Sequence, residues 1–451
     1  MSLSLYLQDL VRGTRIVKTK KELEKSDFWS REQLDEYQLK KLQKLVSFSY
    51  QHVPYYRKLF DSIGLKPDDI RELADIQKIP ISTKEMIRQG KDNLIADNVN
   101  INSYKIKRAV TGGTTGIPFA FYKDTQTRDF SWGAYYRWHD WMGIKNRDSK
   151  AVLWSSGAVI EHTWWQKCKS YVLDRMSKSL HINAYGLNKE SLPDVAKQLI
   201  KHKPALIHGY LSAVLQVAKY FKEHNLTLPS LKAISSTTET LLPMYRQYIE
   251  ETFNVKMFDQ YGGGECNSMA FECDAHIGLH VTEEHCLLEI VDESDSYCYG
   301  KPGRVILTDL DNYAFPFIRY ENGDSAIMSQ KQCDCGRHSK LLESISGRTA
   351  DVIYIKDDVP VTAAFFVSMF IELHSDWFEH FTRFQVYQKK KGELVFRLEK
   401  ANKDKEYPES GRIELLKNLQ KLANKVELEI LDNLPYDKSG KFRYVISDVK
   451  E

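Results

Sequence analysis

Apolar residues in the first 90 or so positions recur at helical spacing. Leu34, Tyr37, Leu39, Leu42, Leu45 and Val46 stand among Lys, Glu and Gln, and Pro54, Pro67 and Pro80 punctuate the stretch. The pattern predicts a helical layer that packs rather than reacts. From about residue 105 to 345, short apolar runs alternate with amphipathic stretches. Ala151–Trp154, Ala205–Ile207, Lys232–Ile234 and Val255–Phe258 read as buried strands. Ser191–His202, Ser212–His224 and Pro243–Phe253 read as the helices between them. Strand and helix in alternation predict an α/β sheet with helix cover. The last hundred residues read as a separate α+β unit with its own core. Its strands are Val352–Ile355, Phe384–Gln388, Glu393–Leu398 and Val426–Leu431, and its helices are Thr362–His374 and Glu409–Asn424. The expected organisation is a large α/β N-terminal domain over 1–347 and a smaller α+β domain over 348–451, divided at Gly347-Arg348-Thr349-Ala350-Asp351.

Composition narrows the class. With 42% hydrophobic and 28% charged residues in 451, the chain is globular rather than disordered. Lys and Arg total 64 against 61 Asp and Glu, a surplus of +3, so there is no electrostatic footprint for nucleic acid. No apolar run reaches the roughly 18 residues of a membrane span. The start, Met-Ser-Leu-Ser-Leu-Tyr, lacks the pattern of a signal peptide, and the expected location is the cytoplasm. Seven cysteines, an odd number in a long chain, do not make a disulfide framework.

Four stretches carry candidate chemistry. Thr111-Gly112-Gly113-Thr114-Thr115-Gly116-Ile117-Pro118 is a poor helix or strand. Its glycines let backbone N–H groups approach a ligand and its hydroxyls add donors, a combination suited to phosphate; no Walker Gly-Lys-Ser/Thr follows. Asp259-Gln260-Tyr261-Gly262-Gly263-Gly264-Glu265 follows a strand, where open α/β sheets bind ligands. Tyr261 can stack on a base there, and Glu265 can hold Mg²⁺. Arg319-Tyr320-Glu321-Asn322-Gly323-Asp324, followed by Arg348, offers a carboxylate for ribose hydroxyls and guanidinium donors for sugar or phosphate. Near the end, Leu434-Pro435-Tyr436-Asp437-Lys438-Ser439-Gly440-Lys441-Phe442-Arg443 puts a lysine on a loop that can enter a distant site.

In this order the motifs resemble those of the AMP-forming adenylating enzymes. Within them the chain resembles the phenylacetate–CoA ligase branch, and its helical start with Val53-Pro54-Tyr55-Tyr56-Arg57-Lys58-Leu59-Phe60 is similar to the capsular-polysaccharide CapK-like group. The resemblance implies a mobile C-terminal domain that rotates between two half-reactions. It implies that the 111–116 loop holds the ATP phosphates, Glu265 the Mg²⁺, Tyr261 the adenine side, and Asp324 and Arg348 the ribose. Glu239, in Ser235-Ser236-Thr237-Thr238-Glu239, matches the acidic residue ahead of the helix that lines the acyl pocket. Lys441 would bridge the attacking carboxylate and the α-phosphate. His208-Gly209-Tyr210 would fall near the acid. The chain departs from the pattern at four places. Phe119 and Ala120 stand where a lysine would follow Pro118, Gly264 replaces a hydroxyl residue, and Ala350 occupies the hinge position. Lys356-Asp357-Asp358-Val359-Pro360 replaces the glycine-containing loop that lines a pantetheine channel.

Cys273 and His280 lie seven apart, and Cys333 and Cys335 flank one residue. Three thiolates and an imidazole make a closed tetrahedral zinc site. Some CapK-like proteins carry similar pairs. His276, Cys266 and His285 compete as ligands, and buried cysteines also serve as small hydrophobes. The aromatic series Tyr135, Trp138 and Trp141, spaced by three, reads as core packing. The expected activity is ATP- and Mg²⁺-dependent activation of a small carboxylic acid as acyl-AMP. Transfer then goes to CoA or to an amine or hydroxyl of a polysaccharide precursor. The alternative is a nucleotide-binding protein that keeps the fold without the reaction.

Overall fold

The helix-spaced residues of the N-terminus form the helices Leu3–Arg12, Ile16–Ser26, Arg31–His52 and Pro54–Ser62. Ser30 starts the third with a capping box shared with Gln33. Pro54, which has no N–H to donate, ends it and opens the fourth at a position where that N–H is not needed. The buried face of Arg31–His52 runs through Leu34, Gln38, Leu42, Leu45, Val46 and Ser49, the predicted stripe with Tyr37 and Leu39 at its margin. The computed structural model describes residues 3–101, 103, 105–110, 120–154, 177–184, 187, 190–238, 241, 243–345, 353–356, 359–361, 366, 369, 380–400, 406–432, 434 and 445–449.

The chain divides into two compact units. The first is built from Met1–Thr111, Phe119–Asp148 and Phe258–Arg348; the second contains Ser149–Met257 and Thr349–Glu451. In the first unit the helical layer joins the hairpin Ile106–Val110/Ala120–Asp124, the helix Thr125–Trp141 and a seven-stranded antiparallel sheet. The sheet order is Cys286–Val291, Pro302–Asp309, Tyr320–Met328, Leu341–Ile345, Leu279–Val281, Ala270–Glu272, Gln260–Tyr261. Here the structure adds to the sequence reading. Strand–helix alternation stops at Phe258, and no helix is found between it and Ile345 among the described residues. Gln260–Tyr261, Ala270–Glu272 and Leu279–Val281 are only two or three residues long, and Cys286–Val291 is buried at every position, so its run carries no alternation to mark an antiparallel sheet.

The second unit contains the predicted α/β sheet with one further edge strand, Ser179–Asn183, that was not expected. The order is Ser179–Asn183, Lys150–Trp154, Leu206–Tyr210, Ala233–Thr237, Lys256–Phe258, with the first four strands parallel. The helices Leu192–His202, Leu211–Glu223 and Pro243–Phe253 supply Leu199, Ala218, Phe221 and Ile249 to its core. The C-terminal residues form their own cluster around Phe366, Val386, Phe396, Leu398 and Leu415. Their sheet is ordered Lys425–Leu431, Glu393–Lys400, Phe381–Lys390, Val445–Ser447. The predicted hairpin is there, but its turn is only Lys391-Gly392, with Lys389 and Lys390 at the end of the strand Phe381–Lys390. Most of Thr362–His374 lies outside the described residues. Among the described residues, no helix is long and apolar enough to cross a membrane.

The helical layer of the first unit is tied to its sheet by buried charge. The turn Thr282-Glu283-Glu284-His285 lies under three helices. Arg31 holds Glu283 with two hydrogen bonds of 2.7 and 2.9 Å, and Arg137 donates to Glu284 at 2.6 Å. Lys41 donates to the Glu284 carbonyl and to Asp311, and Asp311 accepts His285 Nδ1 at 2.7 Å. Burial opposes the Glu284 carboxylate, but the Arg137 guanidinium and the Ser26 hydroxyl outweigh it and lower its pKa. A lowered folded pKa gives stability that is present above the unfolded value and is lost as pH falls. We therefore expect Arg137→Met, which leaves Glu284 buried without its cation, to cost about 3–5 kcal/mol in urea unfolding at neutral pH. The gap to wild type should narrow as the pH drops below about 4.5. An unchanged midpoint would mean that the pair does not carry the layer.

Candidate active site

Two of the motifs meet in one corner of the first unit. Tyr261 ends the strand Gln260–Tyr261, paired with Ala270. A Cβ at Gly262 would come 2.7 Å from Gln260 Nε2 and 2.9 Å from Ser268 N, so only glycine fits that close approach. The Gly263 N–H donates to the Cys266 carbonyl at 2.8 Å, and this turn presents Glu265, half-buried. Across from it, Arg304 pairs with Ser325 but Ile306 pairs with Glu321, so Asn322-Gly323-Asp324 bulges out of the ladder. Gly323 sits at φ +85°, a conformation that side chains resist.

The bulge turns two polar side chains to Tyr261. The Tyr261 hydroxyl donates to Asp324 Oδ2 at 2.8 Å, and Asn322 Nδ2 donates to the Tyr261 oxygen at 2.7 Å and to Asp324 Oδ2 at 3.0 Å. The Tyr320 hydroxyl donates to Glu265 Oε1 at 3.2 Å. Burial, with the Asp324 charge adding to it, pushes the Tyr261 pKa far up and keeps the phenol a donor. Two carboxylates, two phenols and an amide thus converge. They offer acceptors for sugar hydroxyls and an oxygen ligand for a hard cation. Tyr320 and Asn322 are members of the site that sequence reasoning passed over, although both lie inside the quoted motif. Arg319 of that motif is turned inward. It pairs with Glu289 at 2.9 and 3.0 Å and donates to the Ile79 carbonyl at 2.6 Å, so its work is packing.

In the second unit, His208 and Tyr210 stand at the carboxyl end of the parallel sheet. His208 stacks on Trp154 with centroids 6.0 Å apart, and Trp154 contacts Tyr210 at 4.5 Å. His208 Nδ1 is 2.9 Å from Ser235 Oγ on the next strand. Burial lowers the His208 pKa to about 4. The remaining predicted residues, Thr111, Gly112, Gly113, Thr114, Thr115, Gly116, Glu239, Arg348 and Lys441, lie outside the described residues.

The four sulfur and nitrogen candidates of the first unit do come together. Ligand atoms of Cys273, His280, Cys333 and Cys335 all lie within 4.8 Å of one another. Cys273 Sγ is 3.5 Å from Cys333 Sγ, and Cys335 Sγ is 3.3 Å from His280 Nε2. Tetrahedral zinc with bonds of about 2.0–2.3 Å sets ligand–ligand edges of about 3.3–3.8 Å, the same range. His280 Nδ1 is held by Ser339 Oγ at 2.9 Å, which aims Nε2 at the thiols. Burial opposes the Cys335 thiolate, but hydrogen bonds from Arg337 outweigh it and lower the thiol's pKa. The competing ligands are elsewhere. His276 lies beside Glu272 and Phe258, while Cys266 and His285 belong to a different group. Of the aromatic series Trp138 is core, as expected, fully buried with its indole N–H on the Glu272 carbonyl. Tyr135, which donates to Gln260, and Trp141, which lies against His280 and Arg337, are partly buried.

No protein-family model matches the chain. Curated relatives do. A phenylacetate–coenzyme A ligase of Thermus thermophilus is 26% identical over 343 residues, 72% of this chain and 73% of the relative. One from Escherichia coli is 26% identical over 341 residues, 72% of this chain and 73% of the relative. CapK of Staphylococcus aureus is 24% identical over 341 residues, 73% of this chain and 71% of the relative. Among solved structures, a 2-hydroxyisobutyryl-CoA ligase in complex with 2-HIB-AMP and CoA superposes with a TM-score of 0.66 at 21% identity, covering 94% of this chain and 92% of the other. The fold is that of the adenylate-forming enzymes, with a large N-terminal α/β domain and a smaller C-terminal one. Within that class it is similar to the phenylacetate–CoA ligases and to CapK.

The buried position of His208 makes a direct prediction. In an NMR pH titration its ring should stay neutral from pH 7 down to about 5. A midpoint near the usual value of about 6.5 would mean an open, solvated ring.

Proposed function

We propose that this protein activates a carboxylic acid with ATP as an acyl-adenylate, releases pyrophosphate, and transfers the acyl group to the thiol of CoA. The observation that carries the reading is the Tyr261–Asn322–Asp324 hydrogen-bonded group beside Glu265, within an adenylate-forming fold. In this reading the domain boundary is 347/348. The 111–116 loop, with Thr111, Gly112, Gly113, Thr114, Thr115 and Gly116, binds the phosphates. Tyr261 and Gly262 border the adenine, Asp324 and Arg348 take the ribose, and Glu265 ligates Mg²⁺. Glu239 joins the ATP-binding residues, just ahead of the helix that lines the acyl pocket, and His208 and Tyr210 belong to the acid side. Lys441 joins the carboxylate to the α-phosphate. A carboxylate is a weak nucleophile that must approach a polyanion, so the requirement is positioning and charge neutralisation. Mg²⁺ screens the phosphates when bound; the lysine brings the attacking oxygen into line.

A second acceptor, an amine or hydroxyl of a surface-polysaccharide precursor, is favoured by two observations. CapK is among the relatives, and the segment Lys356–Pro360 lacks the glycines expected along a pantetheine channel. The Cys273, His280, Cys333 and Cys335 group is proposed to hold a structural zinc ion. Its four protein ligands leave no position for a substrate.

The deciding assay is pyrophosphate release from Mg·ATP with aryl, fatty, amino and sugar acids, each with and without CoA. Acid-dependent release is expected. Lys441→Ala should reduce it by at least a hundredfold while the folded protein is retained, in line with the loss of a transition-state charge contact. Near-wild-type release from that variant would overturn the role of Lys441. ATP binding with no release for any acid would favour a nucleotide-binding protein instead. CoA-dependent AMP formation selects the thiol acceptor. Cys335→Ala should lose one equivalent of zinc and unfold at lower temperature, measured together by elemental analysis and calorimetry. Unaltered metal content would count against the four-ligand site.

A further inference from the structure

A second group of metal-ligating atoms lies in the first unit, apart from the four-ligand set. Cys266 follows directly on Glu265, His285 closes the Thr282–His285 turn, and Asp309 ends the strand Pro302–Asp309. Their ligand atoms lie within 4.8 Å of one another, and each residue is 0% exposed.

Two of the three are oriented by partners on their other sides. His285 Nδ1 is engaged by Asp311 Oδ2 at 2.7 Å, which leaves Nε2 as its ligand atom. Asp309 Oδ1 accepts the N–H groups of Asp311 and Asn312 at 2.9 and 3.2 Å, which leaves Oδ2. Neither His285 Nε2 nor Asp309 Oδ2 meets a nitrogen or oxygen partner among the described residues. Buried polar atoms are rarely left so, and two in one group call for a shared partner. Lys41 is already engaged by Asp311 at 2.7 Å. Phe130 stacks on the His285 ring at 5.2 Å and 12°, closing that face with hydrocarbon.

A thiolate and a carboxylate carry two negative charges, and a neutral imidazole carries none. A divalent cation bound by all three cancels them. The mixed sulfur, nitrogen and oxygen donors select a borderline ion of the zinc type over Mg²⁺ or Ca²⁺. We propose that Cys266, His285 and Asp309 bind a second zinc ion, which anchors the chain immediately after Glu265 to the turn beneath the helical layer. This goes beyond the adenylating reading and does not depend on it.

The test is metal content by elemental analysis of the full-length protein, purified after zinc loading and removal of loose metal. Wild type should hold two equivalents. Asp309→Asn, which keeps Oδ1 and its two backbone contacts, should hold one, as should Cys266→Ser. Cys333→Ser should also hold one, by losing the other ion. A wild type with one equivalent that Cys333→Ser abolishes overturns this proposal and leaves the four-ligand site standing. One equivalent that survives Cys333→Ser but not Asp309→Asn supports it and removes the four-ligand site. No zinc in wild type overturns both. Because a core variant can fail to fold, cobalt loading of Cys333→Ser gives a second reading. A thiolate-to-cobalt absorption band that is lost on adding Asp309→Asn supports the site, and retention of the band overturns it.

Discussion

Two adjacent carboxylates, those of Glu283 and Glu284, are buried in a single turn. An unpaired buried charge is among the costliest things a fold can contain, and removing one partner from such a pair costs several kcal/mol. The sheet of the first unit is therefore complete only when cations reach this turn. Arg31 arrives from one helix and Arg137 from another. Lys41 comes from the same helix as Arg31 and neutralises Asp311, which in turn holds His285. The helical layer is thus not interchangeable padding. Its register on the sheet is set by where three positive charges must land.

In the chain, the same turn falls between members of the two clustered groups of Cys, His and Asp side chains. His280 stands before it on Leu279–Val281, and His285 closes it. Glu265 and Cys266 are neighbours in the chain, so what holds Cys266 also limits where the Glu265 carboxylate can go. On the facing strand the bulge at Asn322–Asp324 does the complementary task and turns two side chains to Tyr261. Positioning of this kind suits a reaction whose difficulty is the meeting of two anions.

Much of this was legible in the sequence where chemistry forces a residue type. The glycines at 262 and 323 mark a close approach and a left-handed backbone, and they flag the two segments that meet. The Cys and His spacing led to a group that does assemble. Four of the five strands of the parallel sheet, and the helices Leu192–His202, Leu211–Glu223 and Pro243–Phe253, were visible because their period changes from element to element; the edge strand Ser179–Asn183 was not. Three things were hidden. The antiparallel sheet was masked because Cys286–Val291 is buried at every position, which erases alternation, and Gln260–Tyr261, Ala270–Glu272 and Leu279–Val281 are only two or three residues long. The inward turn of Arg319 was hidden because nothing local shows that Glu289, thirty residues earlier, turns to meet it. The pairing of Cys266 with His285 and Asp309 was invisible because it depends on strand register, in which Cys286 faces Asp309.

The discontinuous build of the first unit governs how the chain is made. Its helices finish at Trp141, but the sheet that neutralises and covers them ends only at Ile345, with the whole parallel sheet encoded in between. At synthesis rates of about 5–20 residues per second, the helices wait on the order of 10–40 s for their partner strands. During that interval Arg31 and Arg137 have only Asp35 and Asp27 to meet, without Glu283 and Glu284, and the apolar stripe through Leu42, Leu45 and Val46 has no sheet to cover it. The interrupting segment has a continuous run of its own strands and can collapse first. The emerging polypeptide is therefore most in need of chaperone protection over its first third, before the residues that make that third stable have left the ribosome.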